Sequence, residues 1–94
     1  MGRSYKAPFR KFVKKQTRAF QLVIEDEVEK ICSGAEQGGI KKGDLAGLKV
    51  HKFTFSKRPY LIAYTMEGSD IFFYMVGVHE NFYRELKKYM KEVG

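Results

Sequence analysis

The runs YLIAYTM at 60–66 and DIFFYMV at 70–76 leave this chain few ways to fold. Both are nearly all apolar, both are rich in aromatic residues, and only EGS stands between them. Runs of that length and chemistry read as strands, and the intervening glycine reads as a hairpin. Such strands belong in the middle of a sheet, covered by helices on at least one face.

The flanking patterns supply the partners. In LKVHKFTFS, at 48–56, Val50, Lys52 and Thr54 alternate with Lys49, His51, Phe53 and Phe55, which predicts a third strand ending in a turn at KRP. Pro8 at a first-turn position, with Phe9, Phe12 and Val13 opposite Arg10, Lys11, Lys14 and Lys15, predicts a short basic helix. Thr17 is a candidate N-cap for a second helix. Its apolar stripe is Phe20, Val23, Ile24, Val28 and Ile31, its polar face is Glu25, Asp26, Glu27 and Glu29, and its end is near Ser33-Gly34. GAEQGGIKKGD, with four glycines in eleven residues, reads as a loop. Phe82, Leu86, Tyr89, Met90 and Val93 recur at helical spacing beside Arg84, Lys87, Lys88 and Lys91, giving a C-terminal helix. The expected fold is one α+β domain over residues 1–94. An N-terminal helical hairpin packs on a small antiparallel sheet of three or four strands, with a C-terminal helix.

Charge narrows the partners. Eighteen Lys and Arg against eleven Asp and Glu give +7 over 94 residues. Residues 1–18 hold seven basic groups and no acid, 19–37 come to −4, 38–60 to +5 and 61–94 to −1. The positive field therefore belongs to two blocks, and nucleic acid or an acidic protein is the leading partner. Single Cys32 cannot close an intramolecular disulfide and reads as a core residue, and no Cys/His cluster has zinc spacing. No apolar run approaches a membrane span, and the N-terminus lacks a signal-peptide core. These features favour a cytoplasmic protein with no metal, no small-molecule cofactor and no membrane partner.

The residues capable of chemistry gather near the strand ends. Lys52 stands on a strand among apolar neighbours, Lys57 and Arg58 occupy the following turn, and His79 comes just after the chain is expected to turn at Gly77. Tyr83 is four residues beyond His79, which puts both on one face of a helix. Lysine and arginine neutralise phosphate charge, and imidazole exchanges protons near neutral pH. Lys52, His79 and Tyr83 are thus the catalytic candidates, with Lys49, Lys57, Arg58 and Arg84 as phosphate-binding candidates. His51 has weaker context and reads as structural.

GDLAGLKVHKFTF, RPYLIAYTMEGSDIFFYMVG and HENFYRELKKYM, in that order, resemble the RelE/ParE toxins of bacterial type II toxin-antitoxin modules. The element order matches over residues 8–92 and residue similarity lies within about 44–90. The resemblance implies a ribosome-associated endoribonuclease of the RelE kind, which cuts mRNA without a metal by attack of the ribose 2′-hydroxyl on the adjacent phosphate. Its implied partners are the ribosome, mRNA and a neutralising cognate antitoxin. Lys52 matches the family's strand lysine, Tyr64 the tyrosine ending its Y-x-x-x-Y strand, and His79 the place of a catalytic arginine or histidine. Tyr83 lies near, but is not aligned with, the family's helix tyrosine. The family's second strand lysine is Thr54 here and the arginine of Y-R-x-x-Y is Leu61, so Lys57 and Arg58 are the available substitutes. The family's N-terminal edge strand is reduced to RSYKA. Two alternatives stand beside the RNase: a ParE-like inhibitor of DNA gyrase acting by protein contact, and a non-catalytic RNA-binding member.

Overall fold

The computed structural model describes residues 2–34, 39–40 and 47–93. The elements are β1 (Arg3–Tyr5), α1 (Ala7–Lys14), α2 (Arg18–Ser33), β2 (Gly39–Ile40), β3 (Lys49–Phe55), β4 (Arg58–Glu67), β5 (Asp70–Val78) and α3 (His79–Val93). They form an α+β domain around one five-stranded sheet of order β1-β5-β4-β3-β2. Helices α1 and α2 lie on one face and α3 on the other.

Local chemistry explains the helices. Pro near the start of α1 is preset for the first turn, and Lys11 and Lys14 sit in its last turn, where the helix dipole favours cations. The Thr17 hydroxyl accepts from the Phe20 amide at 3.3 Å and caps α2, which ends at Gly34 in the left-handed conformation (φ 77°).

Two apolar layers sandwich the sheet. On the α1/α2 side Phe9, Phe20, Ile24, Val28 and Ile31 meet Phe53, Tyr60, Ile62, Tyr64, Ile71, Phe73 and Val76. On the α3 side Phe82 and Leu86 meet Leu48, Val50, Leu61, Ala63 and Met75. Helical cover on both faces explains why β4 shows no alternation. A bulge at Ala63/Tyr64, where Ala63 pairs Met75 and Tyr64 pairs Phe73, leaves Tyr74 as the extra residue. Tyr74 and Met75 therefore both pack on the α3 layer.

The sheet departs from expectation in four ways. It is mixed, because β1 runs parallel to β5, with Arg3, Ser4 and Tyr5 opposite Ile71, Phe72 and Phe73. Three exposed residues carry no periodic signal. They are held by long-range contacts: Ile71 N donates to Gly2 O at 2.9 Å and Lys6 N to Phe73 O at 2.8 Å. The turn expected at KRP is instead Ser56-Lys57, and Arg58 and Pro59 already belong to β4, opposite Phe55 and Thr54. Gly77 is not a turn either: it sits inside β5 opposite Leu61, and α3 begins directly at His79. Within the expected glycine-rich loop, Gly39 and Ile40 pair with Val50 and Lys49, and 35–38 and 41–46 lie outside the described residues.

Candidate functional site

Register across three strands builds the site. Lys52 pairs with Leu61, and Leu61 with Gly77, so the three stand in one row of β3, β4 and β5. Cross-strand partners share a face, which here is the face that carries α3. Two interstrand spacings put the Lys52 and Gly77 backbones about 10 Å apart. Thr54 and Pro59 form the next row toward the hairpin tip.

Helix α3 covers only part of that face. Phe82 and Leu86 point down, and Glu85, Tyr89 and Glu92 line a groove with Ala7, Pro8 and Lys11 of α1. At 100° per residue the opposite flank carries His79, Tyr83 and Lys87, and it looks toward β3. Lys52, Thr54 and His79 are accessible there, while Tyr83 is half-buried against the Phe82 layer. The His79 and Tyr83 rings meet edge-on, centroids 6.2 Å apart at 89°. Lys52 and His79 have no hydrogen bond or ion pair among the described residues, so both are available to a ligand. Gly77 adds no side chain to that row, where a Cβ would meet only Phe82 Cδ1, at 3.8 Å, and Leu61 between Lys52 and Gly77 is covered by α3. The α3 amino terminus adds partial positive charge at the same edge.

Other candidates fall elsewhere. Lys49 is on the α1/α2 face at the far end of β3, its Nζ 3.7 Å from Met66 Sδ. Arg58 is opposite Phe55, also on that face. Arg84 is on the solvent side of α3 and donates to Asn81 Oδ1 at 3.1 Å. Lys57 occupies the hairpin tip, beyond the Thr54–Pro59 row. Tyr64 is buried in the α1/α2 layer and Leu61 beneath α3, so neither side chain reaches the open face.

Glu27 does not take the solvent side of α2. It is buried, accepts from His51 Nε2 at 2.7 Å and from Lys30 Nζ at 3.0 Å, and ties α2 to β3. Position 27 lies three residues after Ile24 and four before Ile31, on the apolar stripe, which is the signal a helical projection offers. His51, read as structural, is so. At the other sheet edge Arg3 forms a forked pair with Glu29 at 2.7 and 3.1 Å, anchoring β1 to α2. That pairing raises the Arg3 pKa and lowers that of Glu29.

Taken together, fold and site define a small, basic α+β effector domain with an open cationic and imidazole surface at one end of its central strands. Over residues 4–87 the sequence matches the family described as ParE-like toxin of type II bacterial toxin-antitoxin system. The chain belongs to that family, which makes it the toxin of a module with a cognate antitoxin. No curated protein and no solved structure matches it. No helix among the described residues is long and apolar enough to cross a membrane.

Proposed function

We propose that the toxin inhibits translation by cutting ribosome-bound mRNA in the cytoplasm. The observation that supports this most is the shared accessible side of Lys52 and His79, two groups of complementary chemistry with no hydrogen-bond or ion-pair partner among the described residues. In this reading an RNA phosphate lies between Lys52 and His79. His79 accepts the 2′-hydroxyl proton or donates one to the departing 5′-oxygen, and Lys52 neutralises the charge that grows on the pentacovalent phosphorus. The bond from phosphorus to the 5′-oxygen breaks as the bond to the 2′-oxygen forms. Tyr83 positions the His79 ring through its edge contact.

Removing one general acid or base typically costs about 10²–10⁴ in rate. His79→Ala should therefore abolish growth inhibition and mRNA cleavage at unchanged melting temperature. Undiminished cleavage by the folded variant would sink the assignment.

A second reading, a ParE-like inhibitor of DNA gyrase, has its own observation. Thr54 on the site's second row and Leu61 beneath α3 leave Lys52 as the one lysine that the described strands place on that face, which is sparse for phosphoryl chemistry. An SOS response with stalled supercoiling and intact mRNA favours the gyrase reading, whereas translation arrest with cut mRNA favours the nuclease.

A further inference from the structure

The turn joining β3 to β4 has positive φ at both central residues, 51° at Ser56 and 65° at Lys57. Such mirror-image hairpin turns favour Asn-Gly, because a side chain crowds the backbone in the left-handed region. Glycine at 57 is the conformationally easy choice, yet the chain carries an exposed lysine there, followed by exposed Arg58. Backbone strain borne for a charged side chain is a pointer to function.

The tip has neighbours of the same sign. Phe55, just before the turn, stacks on Phe20 of α2 with centroids 4.3 Å apart and planes 1° from parallel. Tyr60 lies 6.3 Å from Phe12 of α1. These aromatic pairs seat the hairpin end beside the α1–α2 corner, where Lys15 is exposed. Neither 2–18 nor 47–66 contains an acidic residue. Lys15, Lys57 and Arg58 make no ion pair among the described residues. Three uncompensated cations on a surface held rigid by packed rings suit a polyanion, and Lys52 lies about 13 Å along the same hairpin.

We infer that the Ser56-Lys57 tip and the α1–α2 corner form a second, non-catalytic RNA-binding surface that grips phosphates flanking the one at His79. The inference rests on the RNA reading above.

The test uses the full chain, a labelled single-stranded RNA oligonucleotide, fluorescence anisotropy over a salt series, and thermal melts. Lys57→Gly should raise Tm by about 4–8 °C by relieving the left-handed strain. It should also weaken RNA binding, flattening the log–log salt dependence by about 0.7 for each phosphate no longer neutralised. Lys57→Gln and Lys15→Gln should flatten it similarly without the gain in Tm, while Lys91→Gln, near the far end of α3, should leave the slope unchanged. Wild-type slope and affinity in Lys57→Gly and Lys57→Gln, or an equal flattening in Lys91→Gln, overturn this inference and leave the nuclease reading standing. Failure of the wild type to bind RNA while it captures DNA gyrase overturns both.

Discussion

His51 Nε2 donates to Glu27 Oε1 across 2.7 Å, joining β3 to α2 inside the apolar layer. The residues are 4% and 9% exposed, so neither has ready access to water as a substitute partner. Removing one half of a buried pair strands the other, at about 3–5 kcal/mol. Lys30 reaches the same carboxylate from a half-exposed position, which puts Glu27→Ala toward the lower end, about 3 kcal/mol by urea denaturation. The paired change Glu27→Met with His51→Leu should recover most of that stability, because it leaves no orphaned polar group. A double variant as unstable as the single one would show that the pair is worth more than its packing.

Acid stability follows from the same carboxylate. Burial pushes the Glu27 pKa up, but the hydrogen bonds and charges of His51 and Lys30 outweigh it and leave it below 4.5. A folded-state pKa below the unfolded one stabilises the protein above the unfolded value, and the contribution disappears as pH falls through the folded value. Melting temperature should therefore drop on acidification below about pH 4.5, and less steeply in Glu27→Gln. Parallel curves for the two proteins would remove Glu27 from the account.

Leu86 is the fully buried anchor of α3, with 0% exposure. Leu86→Ala should cost about 2–5 kcal/mol through reduced burial and the cavity left behind. Because α3 also presents His79, the variant should lose toxicity together with stability. Hydrogen exchange of the α3 amides would reveal the loosened helix, and unchanged protection would contradict this packing.

Thr54 is exposed on the site's face, one row beyond Lys52. If the ligand is RNA, Thr54→Lys adds a cation within reach of the strand and should steepen the log–log salt slope of binding by about 0.7. Anisotropy titrations would measure it. A slope unchanged from wild type would place the RNA elsewhere.

Burial pushes the Cys32 thiol pKa above its ordinary 9.0. Thiolate is the reactive form, so iodoacetamide at pH 8 should label the native protein several-fold more slowly than the urea-unfolded chain. Equal rates would show that Cys32 is open to solvent.

Much of this architecture is legible in the sequence because local periodicity reports it directly. The Thr17 cap, the Gly34 stop, the alternation of His51 and Phe53 against Lys52 and Thr54, and the Phe82/Leu86 spacing all appear in the structure. The misreadings have local causes too. KRP suggests a turn because proline usually marks one, yet Pro59 is the second residue of a strand that opens at Arg58, just past two residues with positive φ. The charge of Glu27 suggests a place in water, although its position lies on the apolar stripe and the side chain is buried.

What the sequence by itself determined is the identity of α1, α2, α3, β3, β4 and β5 and the burial of β4 and β5, since the backbone repeats of helix and strand force side chains into recognisable faces. Only the tertiary structure decided which faces meet. The parallel β1–β5 pairing, the burial of Glu27 against His51, and the separation of Lys52 from Lys49, Arg58 and Arg84 depend on contacts between residues far apart in the chain. The neighbourhood of Lys52 and His79 is of the same kind, set by the register of β3, β4 and β5 and by the flank of α3 turned toward β3. No stretch of residues short enough to read as a pattern contains that information.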